Sequence, residues 1–332
     1  MTAAFDVHAH VIVPELLRDA APSQAWRPSV SRDEHGAQVV ALDGRRIRSA
    51  VDEIVDLDGI LASLASRGVD RVLLSPWVPL LFYGVEAAEA LERCRIQNEG
   101  LVRLRSQAGD RVHVLGAVPL QDPELAAVEL GRLMAGGAFA GVEVTASVDG
   151  AYLGEPRFEP FWEAADACDA LVFVHPTTRG FADPVFEKHY MSNLVGNPLE
   201  TTIAAAQLVL SGTMARHPRL RVLLAHAGGA IVWLSGRLSH GQRTVAAAGP
   251  IPAPDAAADD VVRRFLFDSV THDPRLLRGL VALVGAERVL LGSDHPFDMG
   301  DPAPVSTVRA AGLGAEAELA ILSGNAAREL GA

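Results

Sequence analysis

Eight short apolar runs, rich in β-branched residues and separated by helix-like segments, constrain this chain more than any other feature. They are Ala4–His8, Arg71–Ser75, Val112–Val118, Gly141–Thr145, Leu171–His175, Arg221–His226, Phe265–Ser269 and Arg288–Ser293. Runs this short and this continuously hydrophobic are expected of parallel strands buried on both faces. Between them lie amphipathic segments such as Val55–Ser66, Glu86–Gln107, Pro123–Ala135 and Phe158–Cys168. Eight strands alternating with helices predict an α/β fold, a (β/α)8 TIM barrel, and a chain of 332 residues suits one such domain over residues 1–332. An open, doubly wound sheet normally places a glycine-rich phosphate turn after its first strand. Here the first run leads into His8-Ala9-His10 instead.

Two connections exceed ordinary barrel loops. Residues 11–55, with turn formers Pro14, Pro22, Pro28, Gly36 and Gly44, read as an insertion after the first strand. Within it, Val39-Val40-Ala41-Leu42 followed by Asp43-Gly44 predicts a small β-hairpin. The second long loop runs from Pro176 to about Thr201, with Gly180, Pro184, Gly196 and Pro198. Both follow strand C-termini, the face where barrels carry their chemistry, so both are expected to wall a pocket.

Composition removes several function classes. A net charge of −12 argues against a nucleic-acid surface. The one basic cluster, Arg45-Arg46-Ile47-Arg48, is too small for a phosphate stripe and reads as a solvated turn. Cys94 and Cys168 sit in helix-like segments, so neither a disulfide framework nor a cysteine-rich metal site is expected. No leader-like N-terminus and no apolar run of about 18 residues is present, and the expected location is the cytoplasm.

The histidines then become informative. His8 and His10 end the first run, His175 the fifth and His226 the sixth, while Asp294 follows the eighth with His295 directly after it. Two residues apart on an extended chain, His8 and His10 point to one side. If that side is the barrel interior, they meet His175 from across the barrel and Asp294 from the neighbouring strand end. A lone histidine at a strand end is more often a hydrogen-bonded turn or core residue than a ligand. This many strand ends carrying histidine or aspartate would be costly to bury without a metal or partners. Three imidazoles and one carboxylate favour Zn2+, with Mn2+, Fe2+ or Co2+ as alternatives.

His8-Ala9-His10, Val174-His175-Pro176, Ala225-His226-Ala227-Gly228-Gly229 and Leu291-Gly292-Ser293-Asp294-His295-Pro296-Phe297 together resemble the amidohydrolase superfamily, in its amidohydrolase-2 branch. Within that branch the chain is most similar to the aminocarboxymuconate-semialdehyde decarboxylase group, which includes decarboxylases of resorcylate and other hydroxybenzoates. The resemblance implies one divalent metal held by His8, His10, His175 and Asp294, no organic cofactor, and His226 as the acid–base residue. It also implies that Arg48 binds a substrate carboxylate and that Arg237, in Leu234-Ser235-Gly236-Arg237, reaches a neighbour's site across a homodimer interface. Taken alone, each arginine reads as a surface salt bridge. Glu143, between Val142 and Val144, reads as a hydrogen-bond partner behind the metal ligands or an outward-facing group, since the resembled branch usually holds one metal. Departures fall at the pocket wall: Ala227 and Ala230 flank the two glycines, Thr177-Thr178 follow His175-Pro176, and His295 follows Asp294. The expected activity is non-oxidative decarboxylation of a small unsaturated or aromatic acid. The alternative on the same site is hydrolysis of an ester, lactone or amide, with Asp294 or His226 as the catalytic base.

Overall fold

A computed structural model describes all residues except 1–2, 22, 35, 37, 43–44, 48–51, 178–183 and 246–255. Eight strands form one sheet in chain order: β1 (Phe5–Val11), β2 (Arg71–Pro76), β3 (Val112–Gly116), β4 (Gly141–Thr145), β5 (Leu171–His175), β6 (Arg221–Leu224), β7 (Leu266–Asp268) and β8 (Val289–Leu290). Neighbours pair in parallel, as β4 does with β5 from Gly141–Leu171 to Thr145–His175. The ring closes where β1 meets the segment after β8: Val7 N–H donates to the Leu291 carbonyl, Asp294 N–H to His8 and His10 N–H to His295, each at 2.8 Å. This is the (β/α)8 barrel expected from the pattern of runs.

Two hydrophobic layers follow from strand alternation. Phe5, Val7, Leu73, Leu115, Leu171, Phe173, Leu223, Leu266 and Leu290 form the interior cluster, one or two from every strand but β4. Their alternate neighbours, such as Val72, Val114, Val172, Val222 and Phe267, pack outward in a second cluster with helix residues including Leu64, Leu101 and Leu130. Ala326 and Leu330 of the last helix (Asn325–Leu330) pack against the interior cluster.

The strand runs were read at the right places but not always to the right ends. The eighth shrinks to Val289–Leu290, because from Leu291 onward the backbone bonds to β1 in closing the ring. The expected hairpin in residues 11–55 is a three-stranded antiparallel sheet of Ser29–Arg32, Gln38–Leu42 and Arg45–Ile47. After β5 helical structure begins well before Thr201: a π-helical turn at Ser192–Gly196 runs directly into the α-helix Asn197–Leu210. Among the described residues no helix is long and apolar enough to cross a membrane.

Candidate metal centre

The interior cluster contains Phe5 and Val7, so strict alternation along β1 would turn His8 and His10 outward. A β-bulge prevents this. The β1–β2 register shifts between Asp6 and Ala9, after which Ala9 and Val11 join the outer cluster. His8 and His10, 0% exposed, therefore take the interior positions. Asp6 holds the bulge: its carboxylate accepts from His8 N–H at 2.9 Å and Ser293 N–H at 3.1 Å, and also from the Ser293 hydroxyl. Burial nevertheless pushes the Asp6 carboxyl up to about 6. On β5, His175 follows Leu171 and Phe173 on the inward-facing positions.

One ligand atom from each of His8, His10, His175 and Asp294 lies within 4.8 Å of the other three, and all four residues are buried. The hydrogen bonds around them leave a donor set with one character. His8 Nδ1 lies 2.6 Å from Asp268 Oδ2, His10 Nδ1 3.0 Å from the Pro76 carbonyl and His175 Nδ1 2.9 Å from the Pro176 carbonyl. Each acceptor fixes a proton on Nδ1, so that Nε2 is the nitrogen able to offer a lone pair once it carries no proton of its own. The three Nε2 atoms and Asp294 Oδ1 are buried and have no hydrogen-bond partner. His8 Nε2 and His10 Nε2 stand 3.2 and 3.4 Å from that same Oδ1. Unpartnered buried acceptors are expensive, and four that converge are what a divalent cation satisfies.

The electrostatics agree with this grouping. Burial opposes charge on His8, but Asp294 and Asp268 outweigh it and raise the imidazole to about 10. Burial lowers His10, and lowers His175 well below the usual range, so both are neutral. Asp294 is held well below the usual carboxylate range: burial would raise it, yet His8, His10 and His226 prevail.

His226 stands just beyond β6 with φ +55°, its Nε2 3.4 Å from Asp294 Oδ2 and its Nδ1 buried without a partner. It lines a cavity of about 340 Å3 with Ala227, Trp233, Val270, Thr271 and Asn197, the last with its carboxamide oxygen unpartnered. Gly229, at φ +62°, turns the chain out of the site, and a Cβ there would fall on the Pro198 carbonyl oxygen and 2.6 Å from Thr202 Oγ1. Gly229→Ala should therefore destabilise the fold by about 2–4 kcal/mol, read as a lowered urea midpoint with unchanged slope. A midpoint equal to that of the parent would contradict the packing.

Other residues singled out in the sequence separate. Glu143 does not face outward: it is 0% exposed, 3.7 Å from His10 Nδ1, and burial pushes its carboxyl well above the usual range. His295 is also fully buried, with Nε2 3.7 Å from the Glu53 carboxylate, and burial lowers it to about 3. Arg237 is exposed on the helix Ile231–Val245. Arg48 lies outside the described residues.

Sequence reasoning missed Asp6 and Asp268. A signal existed, since each is an acid inside an otherwise apolar run, where an ionised side chain requires partners.

Residues 5–332 match the family described as amidohydrolase. The chain belongs to the amidohydrolase family. This amidohydrolase is 29% identical, over 90% of its length and 83% of the relative's, to 2-amino-3-carboxymuconate-6-semialdehyde decarboxylase of Dictyostelium discoideum. It is 27% identical to gamma-resorcylate decarboxylase of Rhodococcus jostii (strain RHA1), over 90% and 89% of the two chains. Its fold superposes on the crystal structure of 5-carboxyvanillate decarboxylase from Sphingomonas paucimobilis with TM-score 0.85, 25% identity and 99% of each chain covered.

Proposed function

We propose that this amidohydrolase is a metal-dependent, non-oxidative decarboxylase of a small unsaturated or aromatic carboxylic acid. The observation that carries the reading is the placement of His226, between a buried four-atom donor set and a cavity of about 340 Å3. The named relatives are decarboxylases of acids of this kind.

His8, His10, His175 and Asp294 would hold one divalent ion, with the unpartnered Nε2 atoms and Asp294 Oδ1 as the available donors. Zn2+ suits three imidazoles and a carboxylate best, with Mn2+ next. When bound, the ion supplies a fixed positive charge that anchors and polarises a substrate oxygen. The difficult part of the reaction is carbanion character at the carbon that loses its carboxylate. His226 avoids it by giving a proton to that carbon. The carbon–carbon bond then breaks, its electron pair restores the unsaturation, and carbon dioxide leaves. His226 regains its proton from solvent. The reaction is redox-neutral and requires no organic cofactor.

Arg48 clamps the substrate carboxylate by bidentate hydrogen bonds, as the family resemblance implies. Arg48→Ala should raise KM and lower kcat with metal content unchanged, because positioning is lost and the metal's ligands are untouched. Loss of metal in that variant would argue for a different role. Residues 1–332 act as one domain, with 11–55 forming part of the pocket wall, and the protein works in the cytoplasm as a homodimer in which Arg237 serves the partner's site.

The activity is tested by offering hydroxybenzoates and muconate-type acids to the metal-loaded protein and measuring carbon dioxide. A product lighter by one carboxyl group is expected. Hydrolysis of an ester, lactone or amide without carbon dioxide release from any acid would overturn the reading.

A further inference from the structure

Asp268, at the end of β7, accepts from four donors. His8 Nδ1 is 2.6 Å and His226 N–H 2.8 Å from its Oδ2, while Ala227 N–H is 2.7 Å and Val270 N–H 3.1 Å from its Oδ1. The residue is 0% exposed. An ionised carboxylate offers about four lone-pair sites and no donor, so supply and demand match with nothing left over. We propose that Asp268 is a shared positioning residue, setting the tautomer of the ligand His8 and the backbone of the proton carrier His226 at once. The proposal rests on the reading of those two histidines given above.

The two tasks are separable on the page. His226 and Ala227 sit at φ +55° and +54°, a region that residues other than glycine enter rarely. Two charge-assisted bonds from their N–H groups to one carboxylate hold the chain there. The bond from His8 Nδ1 keeps its proton on that nitrogen, so Nε2, which faces the Asp294 carboxylate, is the nitrogen that gives up its proton to ligate. His10 and His175 are held by neutral carbonyls, and among the three histidines His8 has the carboxylate partner.

Asparagine tests this because it keeps the shape and reverses one half of the hydrogen bonding. Its carboxamide NH2, placed at Oδ2, meets two donors, His8 Nδ1–H and His226 N–H. His8 relieves the clash by moving its proton to Nε2, which then points a hydrogen at the metal position. Alanine instead leaves room for water, which can accept from His8 Nδ1–H. Asp268→Asn should therefore bind Zn2+ about 10–100-fold more weakly than the parent in chelator competition. Asp268→Ala should fall between the two. Nitrogen-15 spectra of the metal-free proteins should show Nδ1 of His8 protonated in the parent and in Asp268→Ala, and bare in Asp268→Asn. With Zn2+ saturating, Asp268→Asn should still turn over slowly, since the His226 turn has lost its acceptor. Equal Zn2+ affinity for Asp268→Asn and parent overturns the proposal, as does a protonated Nδ1 in folded Asp268→Asn. Should that variant not fold, Asp268→Ala with parent-like Zn2+ affinity and parent-like turnover overturns it equally. If His8→Ala binds Zn2+ like the parent, the failure lies in the ligand assignment instead.

Discussion

His226→Asn is expected to keep its metal and lose turnover by roughly 10²–10⁴-fold, the loss typical of a missing acid–base group. His226 differs from the three proposed ligands in how its ring is used. Their Nδ1 atoms are tied to Asp268, Pro76 and Pro176, whereas its own Nδ1 is buried and unpartnered. Its Nε2 faces Oδ2 of Asp294, whereas Nε2 of His8 and His10 face Oδ1, and it borders the cavity. Asparagine preserves polarity and approximate size but cannot exchange a proton. Metal analysis alongside kcat decides between the roles: parallel loss of both would make His226 a ligand, and near-normal kcat with full metal would remove it from the mechanism. His295, adjacent to Asp294 in sequence, is a poor replacement, because its Nε2 lies toward Glu53. The inactive His226→Ala chain also tests Arg237. Mixed with inactive Arg237→Ala, it should regain partial activity through hybrid dimers whose one intact site draws a residue from each chain. No recovery when subunits demonstrably exchange would confine Arg237 to its own chain.

Removing the metal should abolish activity altogether, and Asp294→Ala should do the same by deleting the one carboxylate in the donor set. The metal-loaded parent should carry close to one ion per chain. Glu143 does not bridge a second ion, since it approaches His10 from the Nδ1 side. Two ions per chain, with one lost in Glu143→Gln, would contradict this. Affinity should depend on pH in a direction set by His8. Raised to about 10, it carries a proton at neutral pH that must leave before Nε2 can ligate. His10 and His175 are lowered and already neutral there, so one proton is released per ion bound. Apparent affinity should thus rise about tenfold per pH unit from about 7 to 9 and level off above the His8 value. Titration calorimetry in buffers of different ionisation enthalpy counts that proton directly, and zero released would contradict the assignment.

The barrel was legible in the sequence because its strands are buried on both faces, and such burial leaves unbroken apolar runs at readable intervals. The positions of His8, His10, His175 and Asp294 at the ends of those runs were legible for the same reason: strand order in a barrel follows chain order, so strand ends meet on one face. What could not be read was anything resting on one contact between distant segments. The bulge that turns His8 and His10 inward depends on Asp6 meeting Ser293, residues brought together by ring closure. The tautomer of His8 depends on Asp268, 260 residues away along the chain. The truncation of β8 and the early start of the helix at Asn197 were likewise local choices made by their surroundings. Hydrophobic periodicity is a property of each segment and survives in one dimension. Hydrogen-bond partnership and the direction of a ring nitrogen are properties of pairs, and only the tertiary structure brings the pairs together.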